Sequence, residues 1–383
     1  MDQKSLILTE AVNTLLTKSA VPAKLTVEQC AATLAMSMTS FRRKLSQEET
    51  TFKLIQQKYL NELCVHALLT KHVNIDSLVI KLGYSERSTF ERAFRHKFNI
   101  TPVQFRELSL VGDAQENKQN LSMIAENMPP LSDSCQQLIR EKNQNSFDLQ
   151  RVIEIISMDP IFVGRLIGLA SKAIYGRTPN TIEEAIGRNL GINTVINFAV
   201  VYSLKDALSD YVEQDVINQS THAFLMAPKF FQLMRKSIGS EVKFDNMLIE
   251  QILIFAPLGI LLLCHKSAPK HQLMLHSLRG IDDLNSLNQY IQASMRTSIF
   301  SASTLMLSLW HIDAKVIKQI NHLDKVNKKQ IKGTKQDHLV LFMLSCLYIL
   351  ATGKKEYPEL LQKAELLNID GFNDIMTLLF KDK

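Results

Sequence analysis

Residues Gly83 to Arg106 read GYSERSTFERAFRHKFNITPVQFR, and the reading of this stretch decides the fold. Glycine enters left-handed backbone with little steric penalty, so Gly83 ends the helix that the apolar spacing of Ile75 to Leu82 predicts. Ser85 then offers a hydroxyl to cap a helix running to Lys97. Along it Phe90, Ala93, Phe94 and Phe98 recur at three- and four-residue spacing and mark one buried face. The remaining face presents Glu86, Arg87, Thr89, Arg92, Arg95 and His96. Asn99, the next most tolerant residue for positive φ, stands at the helix end. Thr101-Pro102 opens a further helix with proline at its first position.

The same plan is legible upstream. Thr26 caps a helix over Val27 to Leu34, with Glu28 and Gln29 in the first turn, where they suit the helix dipole. Ala31 offers the small surface that a closely crossing helix needs. Ser37 caps Met38 to Leu45, whose apolar side is Phe41 and Leu45 and whose other side carries Thr39, Ser40, Arg42, Arg43 and Lys44. A short helix, a tight turn and a basic helix bearing small hydroxyls form a helix-turn-helix unit. Arg and Lys can donate to guanine edges or phosphates, and Ser and Thr reach either. Between the two units, Thr51 to Thr70 contains neither Pro nor Gly. A helix of about 20 residues there extends roughly 30 Å, close to one turn of B-DNA at about 34 Å.

Residues 83–106 resemble the second half of an AraC/XylS-type DNA-binding domain. The Gly-aromatic pair, Ser-x-Phe-x-Arg-x-Phe and Thr-Pro-x-x-Phe-Arg carry the likeness, which reaches back through SMTSFRRKL to about Leu6. Asn99 and Met36 depart from the glycines usual in the family's turns. The resemblance implies double-stranded DNA as partner, with one helix of each unit in the major groove. Thr39, Ser40, Arg42 and Arg43 then belong to the first reading helix, and Glu86, Arg87, Thr89 and Arg92 to the second. Glu86 suits either a cytosine amine or the capping of its own helix. Arg95 and His96 face phosphate or solvent.

Charge placement agrees. The chain has 383 residues and a formal net charge of +6; residues 1–112 hold 15 Lys/Arg against 10 Asp/Glu, and the remainder is close to neutral. A basic module joined to a neutral one suits a polyanion partner. With 13 Gly, 10 Pro and 46% hydrophobic residues, collagen-like and disordered classes are excluded. Five scattered cysteines without a Cys-x-x-Cys pair argue against a disulfide framework or a thiolate zinc site and suit a reducing cytoplasm. The opening MDQKSLILTE lacks the pattern of a secretory signal. The most apolar run, Ile252 to Cys264, is interrupted by Pro257 and falls short of a bilayer span, so it is expected in a core and no membrane partner is expected.

Helical periodicity runs almost throughout, and the fold class expected is all-α: an N-terminal double helix-turn-helix domain plus a C-terminal HD-like multi-helix domain. The expected boundaries are 1–111 for the DNA-binding domain, 112–122 for a polar linker containing GDAQENKQN, 123–324 for the second domain and 325–383 for a helical extension. The lysine-rich Lys325 to Gln336 is expected to be a solvated loop. Whether the extension completes a core or forms a dimer surface is open.

In the second domain, Met128-Pro129-Pro130-Leu131 leads into a helix. Asp159-Pro160 reads as a helix cap with proline at the first position. Ile182 to Ile186 and Asn189-Leu190-Gly191 give a helix, a glycine stop and a new start. With Trp310, expected in the core, these pieces resemble an HDOD domain, the HD-related output module of bacterial signalling proteins. Ser171-Lys172 replaces the usual Asn-Ser. By the same resemblance, Ala256 and Pro257 stand where HD phosphohydrolases carry adjacent His and Asp, and no His-Asp dipeptide occurs in the chain. Neither residue can ligate a divalent cation, so no catalytic residue, metal or cofactor is expected.

Cys264, His265, His271, His276, Asp282 and Asp283 lie close in sequence but match no standard zinc spacing. His222, His311 and His322 read as core or surface histidines. The expectation is a bacterial, cytoplasmic, non-enzymatic regulator of transcription. Its second domain would act through a homodimer, a protein partner or a small-molecule effector. The alternatives are a divergent metal phosphohydrolase and a signalling scaffold that does not bind DNA.

Overall fold

The computed structural model describes residues 8–48, 50–69, 74–109, 121, 131–142, 148–171, 177–239, 242–268, 270–310 and 312–381. Among these every regular element is helical. The chain divides into two compact units, Met1–Glu107 and Leu108–Lys383. The proposed linker GDAQENKQN, the Met128-Pro129-Pro130 entry, Lys172 and His311 lie outside the described residues.

The first unit holds α1 (Leu8–Lys18), α2 (Val27–Thr33), α3 (Met38–Gln47), α4 (Phe52–Leu69), α5 (Ile75–Lys81), α6 (Arg87–Phe98) and α7 (Pro102–Ser109). Leu8, Val12 and Leu16 of α1 pack with Cys30, Ala31, Phe41, Leu45 and Ile55 into one buried cluster. Phe90, Phe94, Phe98 and Phe105 build the other half of the unit, with neighbouring ring centroids 4.4–5.8 Å apart. Ala93, expected on the same face, is only half-buried. The connector α4 forms as expected, and its 18 residues span about 27 Å.

The second unit runs through α8 (Asp133–Lys142), α9 (Leu149–Ser157), α10 (Pro160–Ala170) and α11 (Ile182–Glu184) to α12 (Ile192–Leu208) and α13 (Gln214–Ser237). It continues through α14 (Asn246–Phe255), α15 (Gly259–Leu263), α16 (His271–Gly280), α17 (Leu284–Met295), α18 (Ile299–Leu309) and α19 (Ala314–Asn327). It ends with α20 (Lys335–Thr352), α21 (Pro358–Leu366) and α22 (Phe372–Lys381). The Asp159-Pro160 reading holds: Asp159 accepts the Phe162 N–H at 2.9 Å, and Pro160 opens α10. After α11 the chain continues as a π-helical turn, Ala185–Leu190, before Gly191 at φ 77° admits the start of α12.

The C-terminal extension completes the core. Every residue of α20 from Leu339 to Ala351 is buried, and the helix packs on α13, α17, α14 and α19. A helix apolar on all sides needs neighbours on all sides. Two other expectations change. Lys325 to Asn327 is the last turn of α19 rather than loop, and Lys328 pairs with the buried Asp324. Trp310 is half-buried at the C-cap of α18 instead of lying within the core.

Residues Asn246–Leu263 are long and apolar enough by composition to cross a membrane, yet 78% of them are buried inside the unit. Their tightest contact is the crossing of α15 on α18. The Gly259 N–H donates to Ser303 Oγ at 2.7 Å, and that hydroxyl donates to the Ala256 carbonyl at 2.6 Å. A Cβ at Gly259 would fall inside the contact shell of the Ile299 carbonyl oxygen and within 2.8 Å of the Ser303 nitrogen.

Two aspartates, Asp283 half-buried and Asp337 buried, hold α20 in place. Asp283 accepts from Ser286 and, at 2.6 Å, from Ser345 of α20. Asp337 closes the capping box with Thr334 and meets His322 at 3.1 Å. Burial opposes both carboxylates, but their hydrogen bonds together prevail and hold each pKa below the ordinary aspartate range.

Gly259→Ala is expected to destabilise the second unit by about 1–3 kcal/mol or to prevent its folding, read by denaturant unfolding of the full chain. Because the folded-state pKa values of Asp283 and Asp337 are depressed, their contribution is fully present at neutral pH. It is lost as pH falls below about 4. Melting temperature should drop through that window, and a double Asp283→Asn, Asp337→Asn variant should show a shallower drop.

Candidate nucleic-acid interface

Each helix pair of the first unit turns through one left-handed residue. In the second pair it is Gly83, φ 77°, whose N–H donates to Ile80 O while the Tyr84 N–H donates to Val79 O, both at 3.0 Å. In the first pair the corresponding residue is Ala35, φ 51°, and not the expected Met36. The Ala35 N–H donates to Ala32 O and the Met36 N–H to Ala31 O, the same paired helix-ending bonds. Gly83 has a second reason to lack a side chain, since a Cβ there would lie 2.7 Å from the Ala23 Cβ.

The first exposed helix, α3, starts as read: Ser37 accepts the Ser40 N–H at 3.2 Å, behind an α2 whose Thr26 and Gln29 form a full capping box. Thr39, Arg42, Arg43 and Lys44 are exposed and Ser40 is half-buried, while Phe41 and Leu45 are buried. The second, α6, begins one residue later than expected. Glu86 occupies the N-cap position in place of Ser85, and its side chain makes no cap bond to the helix; it accepts instead from Ser88 Oγ at 3.2 Å. The extra turn residue after Gly83 displaces the start, so that Ser85 remains outside the helix.

Glu86, Arg87, Thr89, Arg92, Arg95 and His96 are all exposed, and Asn99 takes the left-handed helix end at φ 62° as expected. The ion pairs distinguish among the cations. Arg87 already serves the protein, bonded to Glu91 at 2.8 Å and lying 3.8 Å from Asp76 of α5. Arg42, Arg43, Arg92 and Arg95 make no ion pair among the described residues. Thus α3 itself carries only basic charged side chains, with Glu48 acting on Lys44 at its end, while α6 mixes Arg92 and Arg95 with Glu86 and Glu91.

Two positioning contacts escaped the sequence reading. Glu48, just beyond α3, accepts the Leu8 and Thr9 N–H groups and the Thr9 hydroxyl at 2.6–2.9 Å, capping α1 from 39 and 40 residues away. Gln56 of α4 donates to Pro22 O and Leu25 O at 2.9 and 2.8 Å, tying the connector to the turn before α2. Neither leaves a local signal, since each joins segments more than thirty residues apart.

In the second unit most of the residues that suggest metal chemistry have other occupations, and His276 is simply exposed. Ala256 and Pro257 are buried in the α14–α15 corner. His265 stacks on Tyr211 with centroids 5.1 Å apart and accepts the Ser267 N–H, and burial lowers its pKa. Cys264 is buried, with its thiol pushed up by burial. Asp282 pairs with Lys354, and Asp283 caps α17. Among the described residues no three His, Cys, Asp or Glu side chains converge as a metal site. His322 meets Asp337, and His222 is half-buried on α13.

Residues 30–108 match the helix-turn-helix domain family and residues 128–326 the HDOD domain family. The HTH-type transcriptional regulator AlkR of Acinetobacter baylyi is 34% identical over 86 residues, which are 22% of this chain and 28% of AlkR. The HTH-type transcriptional regulator VqsM of Pseudomonas aeruginosa is 33% identical over 73 residues, 19% of this chain and 22% of its own. The chain therefore spans about a quarter of the curated relatives it matches. Among solved structures, a candidate phosphohydrolase from Shewanella amazonensis aligns at 16% identity and TM-score 0.47, covering 68% of this chain and 93% of that one. An HDOD domain protein of unknown function from Geobacter sulfurreducens aligns at 12% identity and TM-score 0.44, over 67% and 93%.

Replacing Ala35 by Gly should stabilise the first unit by up to about 1 kcal/mol, since an exposed alanine there holds a left-handed backbone at a cost glycine avoids. Gly83→Ala should destabilise it by more, and unfolding of both variants under denaturant is the measurement. The match over 128–326 covers more than half of the chain, and the turn geometry agrees with the match over 30–108: this chain belongs to the HDOD domain family and carries an AraC-type helix-turn-helix domain on its N-terminal side.

Proposed function

We propose that this protein is a sequence-specific DNA-binding transcription regulator whose HDOD unit acts as a non-catalytic regulatory module in the cytoplasm. The observation that carries this reading is the pair of exposed basic helices, α3 and α6, each set behind a short helix by the same left-handed turn. Arg42 and Arg43 on the first helix and Arg92 on the second are the donors we assign to guanine edges, with Thr39, Ser40 and Thr89 beside them. Arg95 and His96, farther along α6, suit phosphates. Arg87 we assign chiefly to holding α6 against α5 through Asp76 and Glu91, and Glu86 to the mouth of the helix, where a cytosine amine can donate to it.

The non-catalytic reading of the second unit is supported by Ala256 and Pro257, which offer no ligand for a water-activating metal. Regulatory input then comes through what this unit binds, whether a second copy, another protein or a small effector.

In the full chain, Arg43→Ala and Arg92→Ala should each reduce discrimination between a selected operator and random duplex by about 1–3 kcal/mol. Wild-type affinity should fall steeply with salt. Fluorescence anisotropy at two salt concentrations checks both. Equal affinity of the wild type for operator and random duplex would overturn the proposal.

A further inference from the structure

The second unit contains a polar cleft separate from the Ala256-Pro257 corner. It has a volume of about 310 Å³ and is walled by the start of α8, the first turns of α10 and one face of α12. That volume lies at the lower end of the range for small-molecule pockets, about 300–1,000 Å³. Phe162, Tyr202 and Ser203 form its buried wall, the two rings edge to face at 6.1 Å, while Ile161 stands exposed at the mouth.

The charges in the cleft are arranged with one sign in excess. Asp206 holds the Arg165 guanidinium through two bonds of 2.7 and 2.9 Å, and the guanidinium lies 5.0 Å from the Tyr202 ring centre. This cation is therefore neutralised and fixed in place by the protein itself. Asp159 remains. Its Oδ1 accepts the Phe162 N–H as the cap of α10, whereas the hydrogen bonding of its Oδ2 is one long contact, 3.3 Å, from the Ser134 hydroxyl, and the Arg165 charge acts on it only at longer range, behind Asp206. Two carboxylates against one guanidinium leave the cleft one negative charge in excess, beside seryl hydroxyls and aromatic walls. The N-terminal ends of α8 and α10 offset part of this excess, but an anion placed against Asp159 Oδ2 meets a carboxylate at contact distance. A positive group with several N–H donors is attracted, and an apolar body attached to it covers the aromatic wall and Ile161.

We propose that this cleft is a binding site for a small primary amine with a compact apolar or aromatic body. The ammonium group donates to Asp159 Oδ2 and the neighbouring seryl oxygens, and the body lies against Phe162 and Tyr202. The position also gives the site a place in regulation. Ser132 follows the segment that joins the two units in sequence, and its N–H donates to Ser203 Oγ at 2.8 Å in the cleft wall. An occupant thus touches the residues by which the chain enters the HDOD unit.

The test is isothermal titration of the full chain with three probes that share one body: phenethylamine, 2-phenylethanol and phenylacetate. Phenethylamine should bind at least about tenfold more tightly than the alcohol, and phenylacetate should show no binding. Asp159→Asn keeps the helix cap, because Asn caps as well as Asp, and should lower phenethylamine affinity about tenfold with the circular dichroism spectrum unchanged. Absence of phenethylamine binding throughout the millimolar range, phenylacetate binding as tightly as phenethylamine, or unchanged affinity in Asp159→Asn would each overturn the proposal. The titration contains no DNA, so its result is separate from that of the operator measurement.

Discussion

An all-helical chain must end each helix without leaving its last carbonyls bare and then send the next helix off in a new direction. Here one device does this repeatedly. A single residue adopts left-handed backbone just past the helix, and the two N–H groups at that point turn back onto the helix's carbonyls. Ala35 and Gly83 close the two helix-turn-helix corners in this way, and Lys329 and Asn368 end α19 and α21 by the same bonds. The direction in which α3 and α6 leave their partners follows from this constraint, and with it the faces that carry Arg43 and Arg92. The constraint is one of backbone geometry, so it tolerates Ala, Lys or Asn where glycine is easiest, at a modest conformational cost.

The second unit depends on a different balance. Its most apolar segments, α12, α15, α18 and α20, are buried on nearly all sides, so their few polar groups need partners within the protein. Ser303 bonds Gly259 and Ala256 across the α15–α18 crossing, Asp324 gathers Ser298, Ser301 and Lys328, and Asn288 joins Asn327 to the start of α18. These bonds fix which helix faces meet where hydrophobic contact alone would allow sliding. The corner at Ala256 and Pro257 is therefore an integral part of the packing, and the polar, water-facing cleft by Asp159 lies on the opposite kind of surface.

Much of this was legible in the residues. The caps at Thr26, Ser37 and Asp159, the helix end at Asn99, the proline starts at Pro102 and Pro160 and the buried faces of α3 and α6 all follow from short-range patterns. The exposed positions of the candidate interface, Ser40 apart, were legible because a residue opposite a buried phenylalanine on a helix faces solvent. Local patterns misplaced two turn residues. Ser85 has the better capping side chain, but the longer turn after Gly83 leaves Glu86 at the helix start; the sequence pattern points to Met36 as the turn residue, whereas Ala35 bends the chain.

By itself the order of residues determined the helical class, the two helix-turn-helix pairs and the basic faces they display, since caps, turns and amphipathic spacing act over a few residues. Tertiary structure alone decided which groups separated by long stretches of chain meet. It set Glu48 over the start of α1, paired Arg87 with Asp76, enclosed α20 as a central helix and brought Asp159, Arg165, Tyr202 and Asp206 around one cleft. The physical reason is that such meetings follow from how apolar faces pack in three dimensions, and residues far apart in the chain carry no mark of that meeting in their own neighbourhoods.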